Sequence, residues 1–295
     1  MSTAAMKRVV EHGGGRSCVG FDKVFAAEWQ RLWKRHSVRL MACAAPLLAL
    51  ASAKYLSAHN ISLHPGVPEY ATAGNVPVLA LAEMLITAFS GMMLVLAGLS
   101  VTEEYRGGQL RMGMIRAVSL GRIMAAKWLV ALLFMWIQLG LYFICSVGVG
   151  LIWFPKPESY PLFYEAGNVT YMQGIGYDLA YYGLAALALA ILLTVFFWIA
   201  AAARTTTAAL GLGIGFLLLS YMLPTTLNYF RPLFETAVYV RIYFLSLLMI
   251  EWEGLAAMLA NLHGLFLWNL SVLLGYGALF GGMTAWIWKR RDSYE

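Results

Sequence analysis

The chain has 295 residues, of which 61% are apolar and 12% charged, with a formal net charge of +6 and a mean hydropathy of +0.69. A water-soluble domain carries about 25% charged residues to wet its surface, so this composition excludes an ordinary soluble globule. Several apolar runs are long enough to cross a bilayer core, and the sequence predicts an all-α, polytopic integral membrane protein.

The first twenty residues hold Gly13, Gly14 and Gly15 and no apolar h-region, which predicts a flexible leader over 1–20 and argues against a cleavable signal peptide. Cys18 lies there, and Cys43 and Cys145 fall inside apolar runs, so all three read as free thiols. Next comes FDKVFAAEWQRLWKRH. On a 100° wheel Phe21, Phe25, Trp29, Leu32 and Trp33 share one arc, while Lys23, Gln30, Arg31 and Lys34 occupy the other. That pattern predicts an amphipathic helix over 21–37, lying in a membrane interface with cations toward lipid phosphate or water. A plain juxtamembrane anchor reads the same way.

The first span is expected at Val38–Leu56, kinked by Pro46. His59 and His64 follow, two histidines without cysteine or carboxylate support, and no metal site is read there. The second span is expected at Val78–Val101. It carries Glu83, the one acid well inside an apolar run, and such a residue is a functional candidate for lining a substrate path. Snorkelling or protonation near the span's end is the plainer alternative.

The segment EEYRGGQLRMGMIRAVSLGRIMAAK, residues 103–127, holds five basic residues and two acids between apolar runs. Gly107 and Gly108 break the preceding helix, and a new short helix can start near Gln109. Leu110, Met114 and Val118 would line one face of it, with Gln109 and Arg116 on the other. Arg111, Arg122 and Lys127 add to its basic charge. An ordinary basic loop is the simplest alternative.

Three more spans are expected at Lys127–Phe154, Asp178–Ala203 and Thr205–Leu223, the last two joined tightly at Arg204. Gly211 and Gly215 in the fifth allow close backbone approach, as do Gly277 and Gly281 in the sixth, Leu265–Trp288. Between them, residues 224–264 contain a short apolar stretch, Thr236–Ile250, that includes Arg241. An arginine at mid-bilayer costs about 2.5–3.5 kcal/mol, so a re-entrant or interfacial helix is expected there rather than a seventh span. With both termini inside, 17 of the 21 basic residues fall on the inner side and only Lys54, Lys156, Arg231 and Arg241 on the outer. The positive charge is thus a topology signal with N-in, C-in orientation, and no nucleic-acid partner is expected.

The pattern Glu104, Gly108, Gln109, Arg122, Lys127 resembles the cytoplasmic segment of the ABC-2 type permeases, the membrane subunits of a class of ATP-driven transporters. Gln109 stands where that family more often has threonine, and Ala117 and Val118 where it usually has a proline. Together with the amphipathic helix and six N-in spans, the resemblance covers nearly the whole chain. It implies that 21–37 is a connecting helix, that 103–127 carries the coupling helix, and that 38–295 is a six-span permease domain. Trp29, Arg31, Lys34, Glu103, Glu104, Gly108, Gln109, Arg111, Arg116, Arg122 and Lys127 would then couple to two separate P-loop ATPase subunits. Gly211, Gly215 and Glu83 would serve dimerisation with a second permease copy or paralogue, or the pathway. The chain's seven lysines are followed by Arg, Val, Arg, Tyr, Trp, Pro and Arg, never by Ser or Thr, so no P-loop is present. No catalytic residue and no cofactor is expected in this chain, and ATP and Mg would be bound by the partner. The implied setting is a bacterial cytoplasmic membrane, and the implied role is export of an amphiphilic substrate such as an antimicrobial peptide, drug or lipid-like molecule. A sodium exporter, and a non-transporting anchor or sensor subunit, are the alternatives.

Overall fold

The computed structural model describes residues 20–107, 119–163, 167–203, 205–260 and 262–292. They are mostly helical. Helix α1, Phe21–Lys34, ends where Arg35 turns extended (φ −75°, ψ 128°), and the chain then enters α2, His36–Ala42, and α3, Ala44–His59. These two meet at a 43° bend. Pro46 stands in the first turn of α3; its ring conflicts with the carbonyl four residues back, that of Ala42, which places the break at Cys43. Gln138 Nε2 donates to the Met41 carbonyl at this break, 2.8 Å away.

Next come α4, Val76–Met84, a π turn at Leu85–Phe89, and α5, Ser90–Gly107. Then come α6, Leu120–Trp153; a two-stranded antiparallel hairpin of β1, Ser159–Pro161, and β2, Asn168–Thr170; α7, Tyr171–Ala202; and α8, Thr206–Tyr229. Helices α9, Thr236–Tyr243, and α10, Leu247–Leu259, fold back on one another at 100°. The last helix is α11, Leu265–Asp292. Among the described residues, five helices are long and apolar enough to cross a membrane, or up to seven if each bent pair is one span. This is a multi-pass membrane protein.

Helix α7 is the centre. It packs against α5, α6, α8 and α11, and its buried stripe of Ala185, Ala188, Ala200 and Ala201 lets their backbones approach closely. Helix α3 lies along α6, and α1 crosses the start of α6. By contrast α8 buries only Ala209, Gly213 and Pro224 along 24 residues.

Carbonyls freed by breaks are met by side chains, as a medium without water demands. Pro224 leaves the Ser220 carbonyl without its helical donor, and Ser246 Oγ donates to it at 2.7 Å. At the 100° turn, Trp268 Nε1 donates to Arg241 O (3.0 Å) and the Tyr276 hydroxyl to Leu245 O (3.1 Å). The Tyr142 hydroxyl donates to Ala80 O (2.9 Å) and that of Tyr182 to Pro77 O (3.0 Å), tying α4 to α6 and α7.

Three expectations are corrected. The all-α reading missed the β1–β2 hairpin. The helix that holds the span expected from Asp178 begins earlier, at Tyr171, because Thr170 and Gln173 form a reciprocal capping box. And Glu83 is not the acid most enclosed in the bundle: it is exposed, whereas Asp178 (3%) and Glu251 (1%) are buried.

Candidate functional site

Two constellations stand at opposite ends of the bundle. The first lies where α1 crosses α6. Val24, Glu28 and Leu32, at i, i+4 and i+8, form the stripe of α1 that faces the bundle. Glu28 Oε2 meets Lys127 Nζ at 2.7 Å and Glu28 Oε1 meets Arg31 at 2.7 Å. Both members of the Glu28–Lys127 pair are buried, their side chains 6% and 3% exposed. Trp33 packs edge-on against Trp29 (5.9 Å) and against Phe134 of α6 (5.8 Å). The expected aromatic face is therefore real but is only partly free, since Trp29 and Phe25 are half-buried and Phe21 and Trp33 remain exposed.

Lys127, expected to face a partner, is instead turned inward onto α1. Arg31, Lys34 and Arg122 are exposed close by. Glu103 and Glu104 fall in the last turn of α5, and Gly108, Gln109, Arg111 and Arg116 lie outside the described residues. Glu28 was missed by sequence reading. Its signal was there: an acid on the apolar side of an otherwise basic amphipathic helix.

The second constellation surrounds Glu83 at the other end. A cavity of about 420 Å³ is lined by Tyr55, Glu69, Glu83, Tyr181, Trp252 and Glu253, among others. A second, of about 460 Å³, shares Ala82, Glu83 and Trp252 with it and is otherwise walled by Ile214, Leu217, Leu218 and Tyr221 of α8 and by α4–α5. Tyr221 stacks on Trp252 at 6.5 Å and 28°. Gly211 and Gly215 lie on the same open side of α8, where an added Cβ would meet nothing. Gly213 faces inward, and a Cβ there would overlap Leu94. Gly277 and Gly281 in α11 face Ile191 and Thr194 of α7 and serve internal packing.

Behind Glu83 the two π turns, Leu85–Phe89 and Ile250–Gly254, pack together. Ser90 Oγ bridges them, donating to Leu85 O (2.9 Å) and Glu251 Oε2 (3.1 Å). Farther out, Tyr160 of β1 seats its ring over Gly74 and Gly174, where a Cβ on either would overlap it. Burial, with the Asp178 carboxylate adding to it, pushes the Tyr160 phenol above its ordinary range.

Residues 42–294 match a family described as a protein of unknown function, DUF2705. The chain belongs to that family. No curated protein matches it. In this DUF2705 member the match takes in Glu83, Lys127 and the whole bundle from α3 onward, while α1 with Glu28 precedes it.

Proposed function

We propose that the chain is the transmembrane permease subunit of an ATP-binding cassette exporter, seated in a bacterial cytoplasmic membrane as a dimer of permeases and driven by two separate P-loop ATPase subunits. The observation that carries this reading is the Glu28–Lys127 pair. It fastens the amphipathic helix to the first turns of α6, at the end of the charged segment 103–127. A push delivered to that basic end would pass through α1 into α6 as one rigid piece, because breaking a buried ion pair is costly. Lys127 then acts as a positioning residue, and Arg31, Lys34, Arg116 and Arg122 supply the charge that meets the ATPase. The open side of α8, with Gly211 and Gly215, supports contact with the second permease, and the two cavities at Glu83 support a pathway for an amphiphilic substrate.

The test is copurification from the native membrane in mild detergent, read by mass spectrometry for a P-loop ATPase. Wild type is expected to bring one down and Arg116→Glu to lose it. The paired exchange Glu28→Lys with Lys127→Glu is expected to retain it, since the clasp is rebuilt with reversed polarity. A wild type that reproducibly purifies folded and alone sinks the transporter reading and leaves an anchor or sensor subunit.

A further inference from the structure

The two cavities that meet at Glu83 differ in chemistry. One holds three carboxylates, of Glu69, Glu83 and Glu253, and among the described residues no lysine or arginine lines it. The other is walled by the aliphatic and aromatic side chains of α8 and Trp252. The carboxylates of Glu69 and Glu83 make no ion pair or hydrogen bond among the described residues. Glu253 accepts from the Tyr243 hydroxyl at 3.4 Å and borders a further cavity that Arg231 lines, so its charge is partly shared. His59 also lines the acidic chamber, its ring stacked on Tyr55 at 5.9 Å.

A separate observation points to an occupant. Tyr181 lines the acidic chamber and is 1% exposed, yet among the described residues its hydroxyl has no hydrogen-bond partner. That hydroxyl keeps its hydrogen-bonding capacity for a guest in the chamber.

Size and ligand geometry decide what kind of guest. Among the described residues no three His, Cys, Asp or Glu side chains approach closely enough to hold a metal ion. A chamber of about 420 Å³ has instead the volume of an organic ligand site. The rings of Tyr55 and Trp252 on its wall favour a cation delocalised enough to sit against an aromatic face. The neighbouring apolar chamber accepts the body to which that cation is attached.

We propose that the paired cavities bind an organic cation with an apolar body, its charge held at Glu83 with Glu69 and Glu253, its body between Trp252 and the Ile214–Tyr221 side of α8. That this guest is the exported substrate rests on the permease reading above; that it binds does not.

The probe is radiolabelled tetraphenylphosphonium, added to the purified full chain, with tetraphenylborate as the near-isosteric anion. Saturable binding of the cation is expected, with no saturable binding of the anion. Glu83→Gln is expected to weaken it about tenfold or more, the loss of one charge-assisted contact, and Glu83→Asp to restore most of it. Ile214→Trp, which fills the apolar chamber and leaves every carboxylate in place, is also expected to weaken it. Thermal unfolding of each variant is read alongside to show that the bundle is intact. The proposal is overturned if folded wild type shows no saturable cation binding, if the anion binds as well, or if Glu83→Gln leaves binding unchanged. Copurification of an ATPase is scored on the same preparations. Cation binding without an ATPase keeps the site and removes export, while an ATPase without cation binding removes the site and keeps export.

Discussion

Glu28 accepts two cations at 2.7 Å while buried under α1, and it is the residue on which the N-terminal helix turns from a surface element into part of the bundle. Removing either member of the Glu28–Lys127 pair breaks a buried ion pair, which is destabilising. Glu28→Gln and Lys127→Met should each lower the thermal midpoint of the detergent-solubilised protein markedly. The double variant should recover most of that loss, because two uncharged side chains there need no ionic partner. Midpoints that do not move in the single variants would show the pair to be decorative. The contrast with Arg31 is instructive: its side chain is 52% exposed, so its own bond to Glu28 is screened and contributes little.

At the scale of elements, the sequence patterns that carried furthest were the long apolar runs and the glycine and proline punctuation. Pro46 foretold the break between α2 and α3, and the short, arginine-bearing run at Thr236–Ile250 foretold a segment that does not cross straight, seen as the 100° turn between α9 and α10. What stayed hidden has physical causes. The buried carboxylates Asp178 and Glu251 sat at or beyond the expected span boundaries; a capping box two turns earlier and a folded-back arm bring them inside. The β1–β2 strands are three residues each, too short for a period-two pattern to register. The partners of broken helices were equally invisible, since they come from distant segments. One is testable by a cycle. Ser246→Ala should cost about 1–2 kcal/mol by leaving Ser220 O unpaired. In a Pro224→Ala background, where the helix regains its own donor, the same change should cost much less. Equal losses in both backgrounds, read from thermal unfolding, would disprove that account of the link between α8 and α10.

For the whole molecule, the unequal burial of its crossings is the main architectural fact: α7 is enclosed and α8 lies open on one side. Along α8 the inward and outward glycines separate two properties that a single motif in the sequence could not. Gly213→Leu, which collides with Leu94, should destabilise the isolated subunit by the few kcal/mol typical of overpacking, about 1–3. Gly215→Leu, which meets open space, should leave the subunit's thermal midpoint unchanged and shift its self-association, measured by crosslinking or mass photometry in detergent. If both substitutions act only on subunit stability, the open side of α8 is not a contact surface. The fastening of α8 adds a mechanical corollary. At one end the Thr206 hydroxyl meets that of Thr102, 2.7 Å apart, and near the other Ser246 holds Ser220. Between those points the fully buried residues are small, Ala209 and Gly213, while Leu210, Phe216 and Leu217 are partly buried against the core. Such a rod resembles a beam pinned at both ends: bowing sideways disturbs few contacts, whereas sliding lengthwise must break both pins, and the sideways direction is the one that widens or narrows the gap beside Glu83.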